Sequence, residues 1–266
     1  MIDFTIAKGR KALITGGASG IGFATAKRLA AAGVAVAIAD RNDELLATAA
    51  GEIGTNTATA VMDVADRASV HEGVKRIVDA LGGLDTLVTC AGIFRFSEAT
   101  LITEEDWDET VDINLKGTFL VCQAALPAIR ASGRGRIVTV ASTSGLRGDD
   151  CASHYSAAKF GVVGLTQSLA VENGRFGITV NAVCPGAIPG TRMGQSSMAQ
   201  KIEMRKLSEE EIMKRDGASL PLGRLGFAED IADAIAFLTT ENAGWITGQA
   251  LAIDGGTLLA PSSHGR

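Results

Sequence analysis

The single tyrosine of the chain, Tyr155, is followed four positions later by Lys159. Residues i and i+4 share one face of a helix, so the lysine is expected to lie beneath the phenol and stabilise its anion. A phenol in that setting is a usable acid or base near neutral pH. Ser142, thirteen positions upstream at the end of a predicted strand, supplies a hydroxyl that holds and polarises a substrate oxygen. Together these residue types favour proton transfer at an alcohol or ketone oxygen.

A glycine-rich turn occupies residues 15–22, with the pattern T-G-x-x-x-G-x-G. Such glycines let the backbone turn tightly and approach a pyrophosphate, which then lies at the positive N-terminal end of the following helix. Ordinary strand-to-helix turns also use glycine, but here a strand precedes, an amphipathic helix follows and an acidic residue ends the next strand. The pattern predicts a dinucleotide site that includes Gly16, Ser19, Gly20, Ile21 and Gly22.

The acidic residue is Asp40, eighteen positions after Gly22. Its carboxylate can accept hydrogen bonds from the adenosine ribose hydroxyls, which predicts NAD rather than NADP as the cofactor. Asp40 as a helix N-cap is the alternative, although Asn42 and Asp43 are also available for that role. The neighbouring Arg41 would have to pair with a 2′-phosphate beside a repelling carboxylate.

Short apolar runs alternate with longer amphipathic stretches along the whole chain, which predicts an α/β fold. The expected strands are 11–15, 34–40, 57–62, 84–89, 136–142, 178–184 and 250–253, and the expected helices are 20–32, 43–53, 66–81, 104–130, 153–175 and 228–239. Asn42, Asp66 and a Thr103/Asp106 capping box mark helix starts. Strands that alternate regularly with helices must be joined by crossover connections, which makes the sheet parallel. We therefore expect one domain over 1–266, with a doubly wound, seven-stranded parallel sheet and helices on both faces.

Residues 187–220 interrupt this alternation with Pro189, Gly190, Gly194 and four methionines. A loop of this length in a compact domain is usually functional, and flexible methionines suit a surface that closes over varied apolar shapes. The segment is predicted to be a lid over the substrate. A poorly ordered surface insertion is the alternative.

Composition limits the partners and the location. The formal charge of −5 arises from 25 basic and 30 acidic residues without a basic run, which argues against nucleic acid. Residues 1–5 lack the order of a signal peptide, and the longest apolar stretch, near 29–39, is too short to span a bilayer. We therefore predict a cytoplasmic protein without membrane contact. Dispersed histidines suggest no metal site, and the four separated cysteines are expected to be reduced core residues.

These motifs occur in the order typical of one enzyme family. The chain resembles the short-chain dehydrogenase/reductase family from about residue 6 to residue 256, and the resemblance implies a Rossmann fold with Tyr155 as general acid/base. It rests on the glycine-rich turn, Asp63-Val64, Cys90-Ala91-Gly92, Asn114, Ser142, Tyr155-x-x-x-Lys159 and Pro185-Gly186. Taken singly, Ser142 could be a strand-end hydroxyl bound to local backbone and Asn114 a helix residue bound to a carbonyl, so the joint pattern carries the interpretation.

The resemblance also implies roles for further residues. Asn114 would keep a water beside Lys159 as a proton relay, and Lys159 would also bind the nicotinamide ribose. Asp63 and Val64 would lie beside the adenine, Cys90, Ala91 and Gly92 along the ribose, and Pro185, Gly186 and Ile188 against the carboxamide. Two departures are Cys90, where the family commonly has Asn, and Thr191, which comes one residue later than usual and is assigned no role. Relatives imply a homotetramer that pairs the fourth and fifth helices and residues 246–256.

The leading functional hypothesis is an oxidoreductase that transfers a hydride between NAD(H) and a secondary alcohol, a polyol or the matching ketone. An NADPH-dependent 3-oxoacyl-thioester reductase is the alternative within this fold, and a catalytically inactive NAD-binding regulator is the alternative from another class. We expect the pocket walls to comprise Phe94, residues 144–151, His154, Ile188 and the lid. Arg147 or Arg192 would either bind an anionic group or remain solvated.

Overall fold

Seven parallel strands form one sheet in the order β3-β2-β1-β4-β5-β6-β7. The computed structural model describes residues 9–259. Its strands are β1 (Lys11–Thr15), β2 (Ala35–Asp40), β3 (Ala58–Val61), β4 (Thr86–Thr89), β5 (Arg136–Val140), β6 (Thr179–Pro185) and β7 (Ala250–Ile253). The predicted seven-stranded parallel sheet is confirmed.

Helices cover both faces of this sheet, as predicted. They are α1 (Gly20–Ala31), α2 (Asp43–Ile53), α3 (Arg67–Leu81), α4 (Glu104–Val111), α5 (Gly117–Ser132), α6 (Ser153–Asn173), α7 (Arg192–Arg205), α8 (Glu209–Ala218) and α9 (Ala228–Leu238). Leu13 of β1 packs in one buried cluster with Leu120 of α5, whereas the next residue, Ile14, belongs to a second cluster with Leu29 of α1. Successive strand residues point to opposite faces, so an uninterrupted apolar strand supplies both halves of the core.

The predicted helix starts are formed by side-chain caps. Asn42 accepts a hydrogen bond from the backbone N–H of Leu45 at 2.9 Å, and Thr103 accepts one from Asp106 at 3.1 Å. Asp66 accepts from two backbone N–H groups at the start of α3. Each cap satisfies donors that have no partner inside the helix.

The structure corrects two predicted elements. The helix expected over 104–130 is divided, because a π-helical turn at Asp112–Lys116 separates α4 from α5. A π turn keeps the polarity pattern of a helix, so periodicity does not reveal it. The expected loop over 187–220 contains α7 and α8, and α8 begins with a Ser208–Glu211 capping box. That S-x-x-E signature was present in the sequence and marks the helix start.

Some predictions concern residues outside the described range. Residues 1–5, on which the argument about a signal peptide rests, and His264 lie there. Over residues 9–259, no helix is long and apolar enough to cross a membrane, and no group of acidic, histidine and cysteine side chains forms a metal site. All four cysteines are free, and Cys122 and Cys184 are buried, whereas Cys90 and Cys151 are half-buried rather than core residues.

Candidate active site

The predicted catalytic residues lie at the carboxyl ends of β4 and β5, beside the point between β1 and β4 where the strand order reverses. In doubly wound sheets this crevice, at the carboxyl ends of the strands, is the usual ligand site. Ser142 follows β5, Tyr155 and Lys159 lie in the first two turns of α6, and Asn114 lies in the π-helical turn. The chain therefore gathers four side chains from three separate segments.

Tyr155 and Lys159 share a buried face of α6, as their spacing predicts. Their exposed fractions are 6% and 4%, and the lysine Nζ lies 5.5 Å from the centroid of the tyrosine ring. The Nζ also donates a hydrogen bond to the carbonyl of Val140 at 2.9 Å. This bond fixes the ammonium beneath the ring and satisfies a charged group that would otherwise be buried without a partner.

Lys159 was predicted to stabilise the anion of Tyr155, but the burial of the phenol acts in the opposite direction. Burial raises the pKa of Tyr155 to about 12, and a hydrogen bond with Ser142 opposes this rise. Burial also lowers the pKa of Lys159 to about 8. Both shifts have one cause, since a low-dielectric surrounding disfavours the charged form of each group. The side chains around Tyr155 therefore hold it as a proton donor.

Ser142 and Phe94 define where an oxygen can approach Tyr155. The Ser142 hydroxyl accepts the backbone N–H of Ser144 at 3.1 Å, and its presence beside the phenol lowers the pKa of Tyr155 against the larger effect of burial. Phe94 packs edge-on against the Tyr155 ring, with centroids 4.7 Å apart. One side of the phenol is thus apolar and the other hydroxylic, which directs a polar reacting group towards Ser142.

Asn114 fastens the segment after β4 to the π-helical turn. Its Nδ2 donates to the carbonyls of Ile93 at 3.0 Å and Thr110 at 2.9 Å, and its Oδ1 accepts the N–H of Ile93 at 3.2 Å. A Cβ added at Gly92 would lie 2.7 Å from that Oδ1 and 3.6 Å from the Nζ of Lys159. Gly92 therefore allows Asn114 and Lys159 to approach one another.

The glycine-rich turn forms a cradle of backbone. A Cβ at Gly22 would lie 2.2 Å from the carbonyl oxygen of Gly16, and one at Gly16 would lie 2.8 Å from the nitrogen of Ala91. Gly16 and Gly20 also have positive φ angles, of 64° and 55°. Ser19 is the N-cap of α1 but its side chain makes no capping bond. This arrangement fits a pyrophosphate, because it offers backbone N–H donors, the Ser19 hydroxyl and the N-terminus of α1.

Thr191, to which the sequence assigned no role, lies against this cradle. A Cβ added at Gly20 would be 3.2 Å from the Thr191 side chain. Its hydroxyl caps α7 by accepting the N–H of Gly194 at 3.0 Å. The one-residue displacement in the motif therefore does not remove Thr191 from the nucleotide side of the site.

The two acidic residues that were predicted to contact the adenosine follow neighbouring strands, β2 and β3. Asp40 is half-buried at the end of β2, where it accepts from the N–H of Asn42 at 3.1 Å and from Ala18 in the glycine-rich turn at 3.4 Å. Asp63 is exposed, and it accepts the N–H of Ala65 at 2.9 Å beside the buried Val64. A carboxylate held against the glycine-rich turn fits ribose hydroxyls.

The remaining predicted cofactor residues lie along neighbouring strand ends. Cys90 and Ala91 leave β4 next to Thr15, with the Cys90 N–H bonded to the Thr15 carbonyl at 3.1 Å. Pro185 ends β6, and Gly186 passes close to Asp254, where a Cβ would lie 3.0 Å from the Cα. Ile188, only 8% exposed, completes the wall towards α7.

His154 and Arg192, two residues expected in or near the pocket walls, differ in exposure. His154 is fully buried, and the charged groups that face it are Asp106 and Arg95 on the α4 side. Arg192 is exposed at the start of α7, whereas Arg147 is half-buried in the loop after β5. Asp149, in the same loop, accepts a hydrogen bond from the hydroxyl of Ser144. Ser144 and Asp149 are five residues apart, a spacing that matches no recognised motif, so the sequence alone does not predict this hydrogen bond.

The chain is similar to known proteins over nearly its whole length. Residues 16–257 match a family described as enoyl-(acyl carrier protein) reductase. The chain is 41% identical to a subunit of (2S)-[(R)-hydroxy(phenyl)methyl]succinyl-CoA dehydrogenase from Thauera aromatica, over 94% of this chain and 97% of the relative. It is 38% identical to sorbitol dehydrogenase from Cereibacter sphaeroides, over 95% and 98%. A solved actinorhodin polyketide ketoreductase variant with NADPH superimposes with a TM-score of 0.89 at 37% identity, covering 93% and 96%.

A doubly wound sheet with a backbone cradle and a Ser-Tyr-Lys group defines a nucleotide-dependent oxidoreductase. This chain belongs to the short-chain dehydrogenase/reductase family, and it acts on alcohol or ketone groups.

Proposed function

We propose that this protein transfers a hydride between NAD(H) and a secondary alcohol, a polyol or the corresponding ketone, with Tyr155 as general acid/base. The observation that carries the proposal is the buried face of α6 that Tyr155 and Lys159 share, with the lysine Nζ 5.5 Å from the centroid of the tyrosine ring. NAD would be held by the glycine-rich turn, Asp40 and Lys159, and when bound it supplies the hydride acceptor or donor.

In the reducing direction, Tyr155 gives its proton to the carbonyl oxygen. Ser142 donates to the same oxygen and stabilises the charge that develops on it. In the oxidising direction, Tyr155 must first lose its proton, which burial opposes. Lys159 orients the ribose and contributes positive charge beneath the phenol, and Asn114 supports the proton relay beside it.

The choice of NAD is tested by Asp40→Ala. A 2′-phosphate a few ångströms from this carboxylate meets a repulsion of roughly 4 kcal/mol per unit charge at an effective dielectric near 20. We expect the variant to bind NAD more weakly and to accept NADP. Catalytic efficiencies with both cofactors at equal concentration measure the change.

Asp43→Ala is the matched control, because it removes an equal charge three positions away on an exposed site at the start of α2. It should leave the preference for NAD unchanged. Equal efficiency of the unmodified protein with NAD and NADP would refute the role of Asp40.

A 3-oxoacyl-thioester reductase is the second candidate, since the relative from Thauera aromatica is named for a CoA thioester. Asp40 argues against the NADPH-dependent form of this activity. A panel of secondary alcohols, polyols, ketones and 3-oxoacyl thioesters, followed by cofactor absorbance, separates the two. Silence across the panel would instead favour a catalytically inactive NAD-binding regulator.

We further propose that residues 187–220 cover the substrate in a single-domain protein. Lys201 and Arg205 of α7 both pair with Asp216 of α8, at 3.0 and 2.6 Å. These ion pairs let α7 and α8 move as one unit. Ile188 at the base of the segment joins that unit to the core.

Homotetramer formation is a further prediction. Phe119 and Leu126 of α5 and Leu169 of α6 line a surface groove, and Trp245, just before β7, is 99% exposed. Apolar surfaces of this kind mark association sites. Light scattering at micromolar concentration should give about four times the chain mass of 27.4 kDa, and a monomeric mass would contradict the prediction.

A further inference from the structure

Two phenylalanines extend the aromatic surface that begins at Tyr155. The rings of Phe94 and Tyr155 meet edge to face with their centroids 4.7 Å apart. The rings of Phe96 and Phe94 meet in the same way at 4.6 Å, and the interplanar angle is 84° in both pairs. The three rings therefore form one row that starts at the catalytic phenol. Phe94 and Phe96 together are the aromatic wall of the site.

The main chain that carries the aromatic wall is held at both ends. Ile93 exchanges hydrogen bonds with the side chain of Asn114, and the N–H of Ser97 donates to the carbonyl of Cys151 at 2.8 Å. Arg95, between the two phenylalanines, is directed to α4, where its guanidinium pairs with two carboxylates. The aromatic wall is thus fixed beside the catalytic phenol, while the charged residue between its two rings is bound elsewhere.

Both rings of the aromatic wall remain partly open to solvent. Phe94 and Phe96 are half-buried, whereas Tyr155 is only 6% exposed. A half-exposed ring gains most from an apolar partner, because the contact removes apolar surface from water. A hydroxyl held against the same surface would lose its water and find no hydrogen-bond partner on either ring. The aromatic wall therefore favours an apolar substituent and disfavours one that carries hydroxyls.

We propose that the aromatic wall binds an aryl group of the substrate, so that the preferred substrates are secondary alcohols with an aryl group on the carbinol carbon, or the matching aryl ketones, rather than polyols. The inference rests on the proposed function, in which Tyr155 and Ser142 hold the reacting oxygen. With that oxygen on the hydroxylic side of the phenol, the carbinol carbon directs one of its substituents to the apolar side, against Phe94.

An aryl ring suits this wall better than a saturated ring of equal size. Edge-to-face contact pairs the positive rim of one ring with the negative face of another, an attraction that a saturated ring lacks. The row of Phe96, Phe94 and Tyr155 has this geometry at both of its contacts, and an aryl substituent would add a further pair of the same kind. The expected gain is about 3- to 10-fold over a saturated ring. It is at least about 10-fold over a short alkyl chain, which buries less apolar surface.

A series of alcohols tests the substrate class. At saturating cofactor, kcat/KM should decrease in the order 1-phenylethanol, 1-cyclohexylethanol, 2-butanol and mannitol, with the better enantiomer of each racemic alcohol compared. The cyclohexyl group is close to the phenyl group in size, so the difference between the first two compounds reports the aromatic contact. Equal values for 1-phenylethanol and 2-butanol, or a higher value for mannitol, would overturn the proposal.

Phe96→Leu tests the aromatic wall itself, because Phe96 is the ring one step removed from Tyr155. The ratio of kcat/KM for 1-phenylethanol to that for 1-cyclohexylethanol should fall about 3- to 10-fold, the contribution of one aromatic pair. The intrinsic reactivity of the two alcohols cancels, since the same pair is compared in each protein. Phe96→Tyr keeps a ring and should lose less of the ratio than Phe96→Leu. Phe176→Leu, at an exposed phenylalanine after α6, is the matched control and should keep the ratio of the unmodified protein.

Binding of a ketone gives a measurement that does not depend on turnover. With NAD⁺ bound, 4-fluoroacetophenone has no hydride to accept, and its ¹⁹F NMR signal reports its Kd. The Kd should rise about 3- to 10-fold in Phe96→Leu and stay unchanged in Phe176→Leu. If this pattern is found but no alcohol or ketone reacts, the proposed function fails and the aromatic wall stands. Absence of binding to the unmodified protein, or an equal Kd in Phe96→Leu, would overturn the aromatic wall even where alcohols are oxidised.

Discussion

Tyr155→Phe is expected to reduce turnover by about 10²–10⁴-fold, the usual contribution of general acid/base catalysis. The substitution removes one hydroxyl at almost no cost in volume, so the buried contact with Phe94 and the position of α6 are retained. Binding of NAD should survive, because the residues of the glycine-rich turn and Asp40 are untouched. Steady-state turnover and a cofactor titration by calorimetry measure the two effects separately.

The pH dependence gives a second check on Tyr155. Alcohol oxidation needs the phenolate, so its rate should rise with pH, whereas carbonyl reduction needs the phenol and should fall as the pH passes the pKa of Tyr155. Burial raises that pKa to about 12, so bound NAD⁺ must lower it for oxidation to occur at ordinary pH. Both limbs should vanish in the residual activity of the variant. Retention of more than about a tenth of normal turnover would exclude Tyr155 as the acid/base.

The sheet and its helix starts were predictable because they follow from local patterns. Residues such as Leu13 and Ile14 are adjacent and both apolar, which only a strand buried on two faces tolerates. Asn42, Asp66 and Thr103 are small polar residues before amphipathic segments, and each caps its helix. The gathering of Ser142, Tyr155 and Lys159 follows from the same topology, since parallel strands bring their carboxyl ends to one edge.

Other features depend on distances that a sequence does not specify. The π-helical turn at Asp112–Lys116 has ordinary helix-forming polarity, and only its contacts with the segment after β4 distinguish it. The position of Thr191 beside Gly20 compensates for a motif shifted by one residue. The pKa of Tyr155 was expected to fall because Lys159 is near. Burial raises this pKa to about 12 instead, and the extent of burial depends on the whole fold.

The second large effect is expected from Lys159→Met, a substitution that keeps most of the side-chain volume and removes the charge. In the proposed mechanism the Lys159 ammonium orients the nicotinamide ribose and favours the phenolate. Without it, turnover should fall by at least about 10²-fold, and NAD should bind more weakly. Stopped-flow hydride transfer and a calorimetric dissociation constant separate the two losses. Lys116→Met, at an exposed lysine paired with Asp112, is the control and should behave as the unmodified protein.

Stability distinguishes a functional lysine from a structural one. The pKa of Lys159 is lowered to about 8, so the folded protein disfavours its proton, at a cost of about 3 kcal/mol below pH 8. That cost is relieved as the pH rises from about 8 towards the pKa of the unfolded chain. Replacing Lys159 removes it and leaves the Val140 carbonyl unpaired, which costs about 1–3 kcal/mol. The melting temperature of Lys159→Met near pH 7 should therefore be unchanged or higher, although turnover is lost. A marked fall in melting temperature would show that Lys159 mainly stabilises the fold. A loss of turnover without a fall in melting temperature would show that the charge of Lys159 serves catalysis.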